Sequence, residues 1–280
     1  MECYNAPMPS ASEILQLGET THQVIIGDSR RMAALADASV DLVVTSPPYW
    51  SIKDYGHESQ IGHEQGYEEY LQAVQQVMGE CLRALRPGCR MAINIGDQYL
   101  RASEHGRYRI QPIPADLTIR AQALGFDFMG SIIWRKISTT NTTGGGALMG
   151  SMYLPRDGHI TYEHEYILLF RKQGKWQRPS AEVCEKSLLT KEQRLTWFRG
   201  VWDDVRPERQ RGHVAMFPVA LPERLIRMYS FWGQTVLDPF LGSGTTSLAA
   251  AQSGRNSVGY EINEEFLPVI RRKLASAEPA

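Results

Sequence analysis

Ser46-Pro47-Pro48-Tyr49 follows directly on the apolar run Val40-Asp41-Leu42-Val43-Val44. Proline has no N–H for a sheet ladder and holds the preceding residue extended, so a strand that stops on two prolines turns backbone carbonyls out of the ladder and into a cleft. With a hydroxyl ahead of those carbonyls and an aromatic plate behind them, the corner suits a flat ring that bears an amino group. The Ser46 hydroxyl and the Pro47 carbonyl would accept the amino protons, favouring a tetrahedral nitrogen whose lone pair faces an electrophile, while Tyr49 stacks on the ring. No covalent intermediate is needed.

A second candidate segment lies far downstream, at Val236-Leu237-Asp238-Pro239-Phe240-Leu241-Gly242-Ser243-Gly244-Thr245-Thr246. It reads as a strand entering a glycine turn and then a helix, where Gly242 and Gly244 let a ligand approach the backbone and Asp238 accepts hydrogen bonds or orders the turn. The run 256–260 then ends in Glu261, where an acid that bonds ribose hydroxyls belongs. On these residues alone the site could serve a nucleoside-like cofactor or a dinucleotide.

The four cysteines, Cys3, Cys81, Cys89 and Cys184, show neither CxxC spacing nor a histidine pairing, which argues against zinc and against a disulfide framework and fits a reducing, cytoplasmic setting. Neither Cys81 nor Cys89 follows a proline or has an evident activating partner, so thiol attack on a ring carbon lacks a candidate. No leader-like segment and no run of about 18 apolar residues occurs, so secretion and membrane spanning are not expected. The net charge of −1 means that any nucleic-acid surface must come from local clustering.

Seven short, β-branched apolar runs, at 22–26, 40–44, 90–95, 126–134, 162–170, 234–237 and 256–260, read as strands. Helical periodicity occupies 67–85, where Tyr70, Leu71, Val74, Val77, Met78, Cys81 and Leu85 share a face, and further helices are expected at 222–231, 245–253 and 263–275. This alternation predicts an α/β layer fold with a mostly parallel sheet, and the length allows a single catalytic domain over 1–280. Two stretches break the alternation, 51–66 and 137–160, and long loops in a compact domain are usually functional or mobile. From Arg171 to Arg211 eleven Lys/Arg face six Asp/Glu, with Trp176, Trp197, Phe198 and Trp202 interleaved. That composition suits a phosphate-lined, base-stacking surface, or a charged helical face with its aromatics turned to the core.

Together these residues resemble the beta group of S-adenosylmethionine-dependent DNA amino-methyltransferases, in which the catalytic motif precedes the cofactor motif. Thr45-Ser46-Pro47-Pro48-Tyr49-Trp50 matches catalytic motif IV, and residues 237–246 match motif I almost position for position. Gly27-Asp28 is similar to the acidic motif that meets the cofactor's adenine, and Gly259-Tyr260-Glu261 to the strand end that binds its ribose. His213-Val214-Ala215-Met216-Phe217-Pro218 resembles motif X, which closes over the methionine end, while Ile133-Trp134-Arg135-Lys136 and residues 164–170 resemble the two later strands. The similarity runs in order from Val24 to Leu274.

The resemblance implies a Rossmann-like methyltransferase fold: a mostly parallel seven-stranded sheet with helices on both faces, a circularly permuted motif order, and a small target-recognition insert at 172–212. It implies catalysis by Ser46, Pro47, Pro48 and Tyr49. S-adenosyl-L-methionine would be held by Asp28, Asp238, Pro239, Phe240, Gly242, Ser243, Gly244, Thr245, Glu261, His213, Phe217 and Pro218, with no metal. Double-stranded DNA would meet Trp50, Lys53, Arg171, Lys175 and Arg178, helped by loops 51–66 and 137–160, and the target base would be flipped out of the duplex. Ser at position 46 is similar to cytosine-N4 enzymes, whereas Asp is more typical there in adenine-N6 enzymes, so the reading favours cytosine with adenine as the alternative. RNA and protein methyltransferases with a related corner carry Asn in place of Ser46 and place the glycine motif upstream, and an inactive nucleic-acid binder leaves the intact corner unexplained. Monomer and homodimer both stay open, as does a cognate restriction endonuclease acting separately.

Overall fold

The structure, a computed structural model, describes residues 11–52, 54–136, 160, 163–206 and 217–277. Its strands are β1 (Ala11–Leu17), β2 (Thr20–Ile26), β3 (Val40–Thr45), β4 (Leu85–Ile95), β5 (Gln98–Leu100), β6 (Arg109–Gln111), β7 (Phe126–Arg135), β8 (His164–Lys172), β9 (Val201–Trp202), β10 (Thr235–Asp238) and β11 (Asn256–Glu261). The helices are α1 (Tyr67–Ala84), α2 (Ala102–His105), α3 (Ile113–Leu124), α4 (Ala181–Lys186), α5 (Lys191–Trp197), α6 (Ala220–Tyr229), α7 (Thr245–Gln252) and α8 (Leu267–Ala275).

Nine strands form one sheet in the order β1-β2-β11-β10-β3-β4-β8-β7-β9, and β5 and β6 form a separate ribbon. All seven expected runs are strands of that sheet, which gains β1 and the two-residue β9 at its edges. β1 escapes the apolar pattern because it covers β2 as a largely exposed hairpin arm, where burial places little demand on composition. The pairs from β2 through β11, β10 and β3 to β4 are parallel, and β8 runs antiparallel to both β4 and β7.

Period-two side chains divide the core between the two faces. On one, Ile25, Val43, Leu237 and Ile93 meet α1 and α3; on the other, Leu42, Val44 and Val236 meet α6 and α7, while Val24 and Ile26 meet α8. β3 is buried along its whole length, which its continuous apolar run anticipates. Helix α1 begins where Glu69 reaches back to accept from the Gly66 N–H at 2.9 Å, and it buries Tyr70, Leu71, Val74, Val77, Met78 and Cys81. Each such side chain removed from water contributes about 1.5–3 kcal/mol.

The decisive feature is the position of β10. It lies more than half the chain away from β3 in sequence, yet Val236 and Leu237 are the register partners of Leu42 and Val43. The crossover β10-α7-β11 slots between β2 and β3, so the ends of both chemical segments emerge side by side at the carboxyl edge of the sheet.

Candidate active site

One cavity opens at that edge, where parallel sheets bind ligands. It is lined from the corner by Ser46, Pro47, Pro48 and Tyr49, and from the glycine turn by Pro239, Phe240, Leu241, Gly242, Ser243 and Thr245. Gly27 and Asp28 after β2, Glu261 at the end of β11, and Phe217 and Phe266 complete the turn side. Asn94, Trp134, Lys136 and Glu165 face the corner.

The corner is braced from below. The Tyr70 hydroxyl donates to the Pro48 carbonyl at 2.9 Å, and Thr45 Oγ1 donates to Asp238 Oδ1 at 2.7 Å. Burial, and after it the neighbouring Glu165 carboxylate, push the Tyr49 phenol well above its ordinary pKa, so Tyr49 is a neutral ring on the cavity wall. Asn94 Nδ2 donates to Glu165 Oε2 at 2.8 Å, and Lys136 Nζ lies 2.5 Å from Glu165 Oε1. Register explains this trio, since Arg135 pairs with His164 and Asn94 with Ile167. Sequence reasoning missed these three residues as site groups: a Glu within an apolar run is visible, its partners on two other strands are not.

On the turn side Asp238 corrects an expectation. Its carboxylate is buried and absent from the cavity lining, accepting from Thr45, from Thr246 Oγ1 at 2.6 Å and from the Phe240 N–H at 3.0 Å. It therefore orders the turn instead of meeting a ligand, and burial raises its pKa against those bonds. Gly244, at φ +84°, likewise sits beneath the lining as the residue that starts α7, with Ile270 3.2 Å from where a Cβ would stand. Pro218 is buried outside the lining and its carbonyl accepts from Leu221 at the head of α6. Lys273 on α8 donates to Ser243 Oγ at 2.7 Å and Thr245 Oγ1 at 2.8 Å, another support that spacing does not reveal.

Glu261 accepts from the Gly242 N–H at 2.8 Å and the Asn263 N–H at 3.0 Å, and burial raises its pKa. Asp28 reaches the cavity, but its oxygens are taken by the Arg30 guanidinium at 2.6–3.0 Å and by the Arg30 N–H. A carboxylate at a strand end, a glycine turn that lines the cavity and flanking aromatic rings fit a nucleoside bearing a short charged tail. Burial holds Cys81 protonated and pushes the Cys89 thiol up to about 11; neither lines the cavity.

The expected DNA contacts fare differently. Trp50 is buried, its indole donating to the Gln65 carbonyl at 2.8 Å, so it anchors loop 51–66, whose Tyr55, Gln60 and Ile61 wall the cavity. Because β8 runs antiparallel, Arg171 emerges at the opposite edge of the sheet from Glu165, roughly 20 Å away at about 3.3 Å per residue, where it pairs with Asp127 at 2.8 Å. Lys175 and Arg178 follow it there, since the backbone at 174–176 packs on Pro87 and Gly88, Trp176 stacks on Phe231 at 5.7 Å and Ser187 Oγ accepts from the Trp232 N–H. Trp202 is fully buried in the core, while Arg224 and Arg227 lie over the half-buried Trp197, and Trp176 and Phe198 stay exposed. From there α5 and β9 bring the chain back alongside β7, where the Val205 carbonyl accepts from Trp134 Nε1 at 2.8 Å. Lys53, His213 and most of 137–160 lie outside the described residues.

Compared with known proteins, residues 40–272 match the N6/N4 methyltransferase family model, described as DNA methylase. The chain belongs to this DNA methylase family. The methylase is 37% identical over 284 residues to the Type II methyltransferase M.MjaI of Methanocaldococcus jannaschii, covering 91% of each. TTHA0409 of Thermus thermophilus, solved with S-adenosyl-L-methionine, is 39% identical with a TM-score of 0.76 over 92% of this methylase and 94% of that chain. The PvuII DNA methyltransferase, cytosine-N4-specific, shares the fold at a TM-score of 0.62 and 19% identity, over 92% and 93% of the two chains. Among the described residues no helix is long and apolar enough to cross a membrane, and no group of three His, Cys, Asp or Glu side chains could hold a metal ion.

Proposed function

We propose that this methylase moves the methyl group of S-adenosyl-L-methionine to the exocyclic N4 of a cytosine flipped out of duplex DNA. The observation that carries this reading is that the proline corner and the glycine turn bound one cavity from adjacent strands, an arrangement that would bring a base amino group and a cofactor within reach of each other. The bound cofactor supplies an electrophilic methyl on a sulfonium. On the turn side Glu261 would take the ribose hydroxyls, the 239–245 turn would hold the cofactor, and Phe217 and Phe266 would exclude water.

On the corner side Ser46 Oγ and the Pro47 carbonyl accept the two amino protons and aim the nitrogen lone pair at the methyl. Tyr49 stacks on the base. Two features favour cytosine. Serine heads the corner, and the facing wall carries N–H donors on Lys136 and Asn94. Cytosine offers N3 and O2 as acceptors along its pairing edge, where adenine offers N1 beside a C–H.

The experiment is to incubate the methylase with S-adenosyl-L-methionine and unmethylated genomic DNA, digest to nucleosides and weigh the products. N4-methylcytosine supports the reading, N6-methyladenine keeps DNA methylation and overturns the base, and neither product overturns the reaction. Adding competitor RNA separates a preference for duplex DNA from a general affinity for nucleic acid.

A further inference from the structure

The misplaced basic residues leave open which surface holds the duplex against the cavity. Of the clusters outside the cavity, the ribbon β5–β6 has the chemistry for it. It springs from the end of β4, since Gln98 lies three residues beyond Ile95, next to the cavity-lining Asn94. Gln98 Nε2 donates to Ser51 Oγ at 3.1 Å and the His105 ring lies 5.9 Å from Trp50, which fastens the ribbon to the segment directly after the proline corner.

Its distal end is basic. Leu100 pairs with Arg109, so Arg101, Arg107 and Arg109 gather at the tip, all exposed, against the single acid Glu104, in a chain whose net charge is −1. Arg107 and Arg109 form no ion pair among the described residues. Arg101 meets Glu104 only at 3.9 Å with both side chains more than half exposed, a contact water largely screens. Beside them Tyr99 and Tyr108 stack at 5.8 Å, with Tyr108 57% exposed, giving the tip a stiff aromatic base. Guanidinium forks presented on a short rigid ribbon match phosphate oxygens along a nucleic-acid backbone.

We propose that the tip of the β5–β6 ribbon is a phosphate-contacting surface that clamps duplex DNA at the rim of the cavity. The inference rests on the DNA methylation reading. Each phosphate contact adds about 0.9 to the steepness with which log K falls against log salt, so three arginines account for a slope of about 2 to 3.

The test uses a fluorescein-labelled, random-sequence duplex and follows anisotropy across a salt series. Three proteins are compared: the unaltered methylase, the Arg101→Ala/Arg107→Ala/Arg109→Ala variant, and an Arg171→Ala/Lys175→Ala variant from the opposite edge of the sheet. The ribbon variant is expected to lose about 2 to 3 from the slope while binding S-adenosyl-L-methionine with unchanged affinity by calorimetry, which shows it folded; the opposite-edge variant keeps the full slope. A ribbon variant that retains the full slope, while the unaltered methylase binds and methylates DNA, overturns the clamp and leaves the reaction standing. An unaltered methylase that neither binds the duplex nor methylates DNA overturns both.

Discussion

Thr45 Oγ1 donates to Asp238 Oδ1 at 2.7 Å, a bond between the residue that precedes the proline corner and the residue that opens the glycine turn. It ties the corner to the turn through a buried carboxylate that also accepts from Thr246 and Phe240. Thr45→Val keeps the shape but removes one of three donors from a buried carboxylate. The expected cost is about 1–3 kcal/mol of stability, read by urea denaturation, with turnover falling as the two sides lose their register. Stability within a few tenths of the parent would mean that the bond is incidental.

On the proposed reaction, Ser46→Ala removes an acceptor from the amino nitrogen and nothing from the turn. Turnover should fall about a hundredfold, the order seen when one preorganised polar group is deleted from a reacting centre. The dissociation constant for S-adenosyl-L-methionine should stay within about twofold by calorimetry, a change worth less than about 0.5 kcal/mol. Parallel loss of both would make Ser46 a structural residue.

Glu165 and Lys136 form an ion pair of unequal burial, their side chains 9% and 33% exposed. Lys136→Met strands a buried carboxylate and should cost up to about 3–5 kcal/mol, whereas Glu165→Gln strands an ammonium that still reaches water and costs less. The double variant Lys136→Met/Glu165→Gln should be more stable than Lys136→Met alone. Denaturation of all three checks the order, and equal losses in the two single variants would contradict it.

The parts of this site that were legible in the sequence are those written in local punctuation. Pro47-Pro48 and Gly242-Ser243-Gly244 impose their turns wherever they stand, and the valine-rich run 40–44 reads as a buried strand. What was not legible depends on direction and register. Nothing in the run 162–170 says that β8 is antiparallel, so Arg171 read as a DNA contact although it emerges at the far edge of the sheet. Glu165, Lys136 and Asn94 become one network only when three strands are aligned. Asp238 was visible as an acid at the turn, but its choice between ligand and scaffold was made by Thr45 and Thr246. Trp50 and Trp202 carry the same lesson, since an aromatic ring reads alike whether it stacks on a base or closes a core.

His22 sets a pH limit on stability away from the site. It is buried between Thr20 Oγ1 and Ser257 Oγ, each at 2.9 Å, and burial lowers its pKa from 6.5 to about 4. Between those values the unfolded chain binds a proton that the folded one refuses, so stability rises with pH. The contribution is complete above pH about 6.5, shrinks as pH falls, and is gone below about 4, amounting at most to about 3 kcal/mol. Replacing His22 by Gln removes the titrating group while keeping a polar side chain. Unfolding free energies measured from pH 7 to pH 4 should therefore fall less steeply for the variant than for the parent. Parallel curves would place the acid sensitivity elsewhere, among carboxylates such as Glu80, whose bonds to Arg83 lower its pKa and whose contribution is also lost on acidification.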